Sequence, residues 1–197
     1  MPGVPPDEPL RPPERPGGRD GWFDDSEEAV EVRRPPERAL DPEVRLQHGR
    51  DVAWRALNRR DHTVAEIARI LAHKRVEPAV IETVIAELCD QGYLDDARFV
   101  QRFAEDRRRL DGWGAERIER RLVALGVEGE LIAAAVGGRD HGEELEAALA
   151  LLRRRFPQPP AAPRDCERAL GVLVRKGYEL ELAHDAVRRH ARAPAYD

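Results

Sequence analysis

The sequence predicts an all-α protein: three tandem three-helix units behind a disordered N-terminal tail. Three observations carry this reading. Aromatic residues make up only 5% of the chain and charged residues 36%, and abundant Ala, Leu, Arg and Glu favour helices because they lose little rotamer freedom there. Apolar residues recur at i, i+3, i+4 from about residue 44 onward. The same apolar positions return at a spacing of 51 residues, as tandem structural units produce.

The tail comes first. Pro5-Pro6, Pro12-Pro13 and Pro35-Pro36 remove backbone donors and break helices, so residues 1–43 are expected to be disordered. Trp22 and Phe23 stand there among Asp20, Asp24, Asp25, Glu27 and Glu28. They read either as a solvated stretch with two aromatics or as a short segment that folds against a basic groove.

The first unit is placed at 44–94. Val52, Ala53, Ala56 and Leu57 suit its opening helix, with Trp54 as a core anchor. Thr63 and Glu66 stand at the two positions of a capping box and start the second helix, whose stripe is Ile67, Ile70 and Leu71. Pro78 fits the first turn of the third helix, where its missing donor costs nothing. Val80, Ile81, Val84, Ile85 and Leu88 form that helix's inner face, and Gly92 ends it in a left-handed turn.

The second and third units, at 95–138 and 139–193, follow from the repeat. Leu71 falls on Leu122 and Leu173, Val76 on Val127 and Tyr178, Val80 on Leu131 and Leu182, and Ile85 on Val136 and Val187. Gly126 and Gly177 coincide between two helices. The register serves the second and third helices of each unit and is lost in the first. Asp95 or Asp96 is expected to cap the helix that opens unit two. The stretch Pro157 to Pro163 reads as a stiff connector between the first two helices of unit three. Each unit is expected to bury its stripe on its own helices and partly on the next unit, giving an elongated, curved array.

Chemistry is sparse. There is no glycine-rich phosphate loop, HExxH or nucleophile elbow. His48, His62, His73, His141, His184 and His190 are scattered, and Cys89 and Cys166 form no CxxC pair. No enzyme, metal or cofactor is therefore expected. Without a signal pattern or membrane-length apolar run, the chain is expected in the cytoplasm.

Binding residues are more promising. The net charge is −5, yet residues 98–122 hold eight arginines against five carboxylates. Arg117, Arg120 and Arg121 are expected on one side of a helix, away from Ile118, Leu122 and Leu125. Arg107, Arg108 and Arg109 precede them, and Arg153, Arg154 and Arg155 make a run in unit three. These arginines suit phosphates or partner carboxylates, or they pair with Glu105, Glu116 and Glu119 as a solvated face. Tyr93 either stacks on a partner or closes the glycine cap before it. Trp113, between Gly112 and Gly114, reads as a helix-start anchor in the core.

Gly92-Tyr93-Leu94-Asp95-Asp96 followed by Ala97-Arg98-Phe99 resembles the most recognisable segment of the RecX family of recombinase regulators. Trp54-Arg55-Ala56-Leu57 is similar to the family's opening helix. Gly112-Trp113-Gly114 through Gly126-Val127, and Leu152 through Phe156 with its proline loop, are similar to its second and third units. The resemblance implies a curved helical array lying in the groove of the RecA–single-stranded DNA filament. It would block filament extension or promote disassembly, lowering ATP hydrolysis and strand exchange in DNA repair, with single-stranded DNA as a sequence-independent partner. A monomer is expected. The competing readings are a helix-turn-helix-like DNA-binding module, which would prefer one duplex sequence, and a plain helical scaffold for another protein.

Overall fold

The computed structural model describes residues 41–192; the expected tail, with Trp22 and Phe23, lies outside the described residues. Among the described residues there are nine helices and no strand: α1 (Pro42–Leu57), α2 (Val64–His73), α3 (Pro78–Asp90), α4 (Asp96–Asp111), α5 (Ala115–Leu125), α6 (Gly129–Val136), α7 (His141–Arg155), α8 (Pro163–Lys176) and α9 (Leu180–Arg192).

Local chemistry explains their boundaries. Asp41 accepts from the amide of Glu43 and caps α1, with Pro42 at its first position. The capping box of α2 is complete: Thr63 accepts from the Glu66 amide, and the Glu66 carboxylate accepts from the Thr63 amide. Asp95 caps α4 by accepting from the amide of Arg98. Asp140 and Glu143 make a second capping box at α7. Left-handed glycines end α4, α5 and α8 at Gly112, Gly126 and Gly177. At the corresponding turn after α2 the left-handed residue is Arg75, with φ 62°.

Three apolar cores form, each inside one set of three helices. The first gathers Ile67, Leu71, Val84 and Leu88. The second gathers Val100, Ile118, Leu122 and Ile132. The third gathers Leu152, Leu173, Leu182 and Val187. Leu71, Leu122 and Leu173, the positions 51 apart, are each completely buried. Between the first two units the register also extends into the opening helix: Ala53 and Ala104, again 51 apart, are both buried. In unit three the proline loop between α7 and α8 breaks it. Trp54, expected as core, is half-buried at the core's margin.

The units meet through one junction, made twice. At the first, the turn after α5 sits on the start of α2: the Thr63 hydroxyl donates to the Leu125 carbonyl at 2.9 Å, and Arg69 Nη2 donates to it at 2.8 Å. At the second, the turn after α8 sits on the start of α5: the Gly114 amide donates to Lys176 O at 2.8 Å and the Glu116 amide to Gly177 O at 3.1 Å. In both, a carboxylate from the next unit's opening helix takes the first free amide. Asp96 accepts from Val64 N, and Glu144 accepts from Ala115 N, each at 2.9 Å. A helix start leaves such amides without intrahelical partners, and α5 has no side-chain cap of its own. The central helices of units one and two, α2 and α5, are thus each finished by the unit that follows.

Candidate functional site

The candidate site is a cleft in unit two between α4 and α5, of about 640 Å³, lined by Phe103, Arg107, Trp113, Arg117, Arg120 and Arg121. Its floor is aromatic. Phe99 stacks on Phe103 at 5.9 Å between ring centroids, and Phe103 meets Trp113 edge-on at 6.3 Å. Trp113 is half-buried rather than core, and two guanidinium groups lie over it: Arg117 at 4.4 Å and Arg107 at 5.4 Å. The three-residue link Gly112-Trp113-Gly114 places this ring at the mouth of the helix pair. An arginine held against an indole face keeps its donors available to a ligand while its plane is fixed.

The other expected binding residues divide by what they touch. Arg120 and Arg121 are exposed at the cleft's rim. Arg107 also pairs with Asp111 at 2.6 Å, and Arg109 reaches Asp106 at 3.7 Å. Arg117 lines the same cleft as Arg120 and Arg121 and reaches across the second junction to donate to Arg175 O at 2.8 Å. Arg108 is half-buried and donates to Ala135 O and Val136 O at the end of α6. Burial and the neighbouring Arg139 pull its pKa below the ordinary value. Its charge closes α6 from within the unit.

In unit three, Arg153 reaches Glu146 at 3.9 Å. Arg154 is exposed and lies close to Gly112 of unit two, whereas Arg155 lines a cleft with Phe156. Tyr93 is 54% exposed and packs edge-on against Trp54 at 4.5 Å. It covers the first core with one face and offers the other to solvent.

Sequence reasoning missed Arg55, Arg59, Arg60 and Lys74, which share a cleft of about 740 Å³ in unit one. Arg55 lies in α1, Arg59 and Arg60 in the turn after it, and Lys74 in the turn after α2. The 51-residue shift places them on Asp106, Leu110, Asp111 and Leu125, so the repeat gives no signal for them. Among the described residues, no group of three or more His, Cys, Asp or Glu is placed to hold a metal ion. No described helix is long and apolar enough to cross a membrane.

Comparisons with known proteins agree with this geometry. Residues 50–88 match the family model of the first three-helix domain of RecX, and residues 95–136 match that of the second. The regulatory protein RecX of Leptothrix cholodnii is 35% identical over 136 residues, which cover 69% of this chain and 85% of that one. That of Thermobifida fusca is 29% identical over 161 residues, covering 81% and 87%. The crystal structure of RecX from Lactobacillus salivarius superimposes with a TM-score of 0.66 at 15% identity, over 75% of this chain and 97% of that one. A further crystal structure of a regulatory protein RecX gives 0.61 at 17% identity, over 74% and 72%.

Proposed function

The chain belongs to the RecX family of regulatory proteins, and from that premise we propose that it binds the filament of RecA on single-stranded DNA and lowers its ATP hydrolysis and strand exchange. The observation that supports this most directly is the unit-two cleft. Phe103 and Trp113 offer rings, and Arg107, Arg117, Arg120 and Arg121 surround them with donors. Rings accept bases by stacking and arginines accept phosphates, with no need for one base sequence. In this reading the binding residues are those of the cleft together with Arg155. Arg108 supports the helix that the cleft stands on. The array of units 44–94, 95–138 and 139–193 serves as a rigid rail in the filament groove, and the chain acts there by occupancy, without chemistry of its own.

The test is DNA-stimulated ATP hydrolysis by the cognate recombinase, with this chain titrated in. Inhibition well below one copy per recombinase is expected. Arg120→Glu with Arg121→Glu is expected to raise the half-inhibiting concentration at least tenfold while leaving helical content unchanged by circular dichroism. No inhibition by the wild-type chain, even in excess, overturns the reading.

A further inference from the structure

Three clefts on this molecule are the same cleft. Besides the one in unit two, clefts of about 740 and 620 Å³ stand in units one and three. Part of their lining coincides under the 51-residue shift. His62, Trp113 and Arg164 are equivalent, and so are Ile70, Arg121 and Val172. Arg117 matches Arg168, Ala124 matches Arg175, and Phe103 matches Val52.

What the three share beyond position is charge. The first holds Arg55, Arg59, Arg60 and Lys74. The second holds Arg107, Arg117, Arg120 and Arg121. The third holds Arg155, Arg164, Arg168 and Arg175. That is twelve cations (four in each cleft) with one lining carboxylate, Glu167; one cation in each cleft is paired with a carboxylate beside it, Arg60 with Glu66, Arg107 with Asp111 and Arg168 with Asp165. The whole chain has 33 Lys and Arg against 38 Asp and Glu, so ordinary surface composition does not produce this ratio. Nor does the repeat itself: apart from Arg117 and Arg168, the cations occupy different repeat positions in each cleft. Each cleft also carries a ring: His48 and His62 in the first, Phe103 and Trp113 in the second, Phe156 in the third.

The junctions set the clefts in series. Both use the same parts of the repeat, the turn after one central helix on the start of the previous one. The step from the first cleft to the second is therefore of the same kind as the step from the second to the third. Its length is about that of one central helix, roughly 15–20 Å at 1.5 Å per residue. A ligand that meets four cations and a ring at each equal step is a uniform polyanion bearing flat groups. We infer that the three clefts are successive stations for one strand of single-stranded nucleic acid, and that units one and three contribute to its binding comparably to unit two. The inference deepens the filament reading and rests on it for the source of the strand.

Three stations span on the order of ten to fifteen nucleotides at 3.4 Å or more per phosphate. The experiment is fluorescence anisotropy of a labelled thirty-residue oligo(dT) titrated with the full chain at several salt concentrations. Three double variants are compared with the wild type: Arg55→Ala with Arg59→Ala, Arg120→Ala with Arg121→Ala, and Arg155→Ala with Arg164→Ala. All six side chains are exposed, and circular dichroism verifies folding. Each pair is expected to reduce the slope of log K against log salt by a similar amount, roughly 1.4 for two lost phosphate contacts on a single strand. A slope that falls only for the unit-two pair overturns the inference and leaves a single site. Inhibition of the recombinase without oligo(dT) binding also overturns it, assigning the clefts to an acidic protein surface while the filament reading stands. Failure of both assays removes the two together.

Discussion

At the scale of single residues, Thr63 does the work of two. Its hydroxyl oxygen accepts from the Glu66 amide at 3.1 Å while its proton goes to Leu125 O at 2.9 Å. Thr63→Ala removes a helix cap and a contact between units, and is expected to cost about 1–2 kcal/mol in urea unfolding. Its neighbour His62 is buried with Nδ1 3.5 Å from Glu66 Oε2. Burial, with help from Arg60, lowers the His62 pKa from 6.5, although Glu66 pulls the other way. The folded chain therefore holds this proton less tightly than the unfolded chain. The stability that the neutral ring contributes is complete above the unfolded value near 6.5 and is lost as pH falls below it. His62→Asn is expected to flatten that loss, measured as the difference in unfolding midpoint between the two chains from pH 7.5 to 5.5. A difference that stays constant across the range would rule out the role. Asp96, whose pKa burial raises, is present in both chains, so the comparison between them isolates His62.

At the scale of elements, the glycine turns separate backbone strain from crowding. Gly92 has φ 73° with open space around it, whereas Gly177 has φ 83° with Arg117 N 2.4 Å from where a Cβ would stand. Gly92→Ala should cost only the left-handed conformation, about 1–2 kcal/mol. Gly177→Ala must also part α8 from α5, and about 3 kcal/mol or more is expected from chemical denaturation. Most of the helices were legible in advance because their signals are local: Thr63 and Glu66 are three residues apart, and Leu71, Leu122 and Leu173 each sit in an i, i+3, i+4 stripe. Junction partners such as Thr63 and Leu125 are 62 residues apart, and nothing in either neighbourhood announces the other. The candidate site was legible only as arginine runs. A long side chain can turn to unpaired carbonyls at a helix end, as Arg108 does at α6 and Arg117 at α8, and spacing along the chain does not show this. Arg55, Arg59 and Lys74 stayed hidden because helix packing, rather than adjacency in the chain, brings them together.

At the scale of the molecule, three separate cores joined by two small junctions make stability a sum of local terms. Leu173→Ala, in the third core, is expected to cost about 2–5 kcal/mol. Its effect should be regional: amide hydrogen exchange should quicken in α7, α8 and α9 well before it does in α1, α2 and α3. Uniform quickening along the chain would show one cooperative block instead. The charge distribution works at this scale too. A chain of net charge −5 is repelled by nucleic acid at a distance, so local cation density must act inside about 10 Å at 0.1 M salt. Short range suits the proposed function, in which an assembled filament holds the chain close.

The turn after α2 gives the array its arithmetic. It has the same hydrogen bonds as its two counterparts, with Val76 N donating to Leu71 O as Val127 N does to Leu122 O and Tyr178 N to Leu173 O. Where those turns have Gly126 and Gly177, however, it has Arg75. A Cβ on either glycine would stand 2.6 Å or less from the helix it rests on, so a turn bearing a side chain cannot seat there. The opposite end is closed as well: α8 begins at Pro163, which has no amide proton, and the Asp165 and Cys166 amides already donate to Ala162 O. The two ends of the described array thus differ, by one side chain and one proline, from the junction made twice inside it. What differs between a turn that joins two units and one that does not is a single Cβ, present on Arg75 and absent from Gly126 and Gly177.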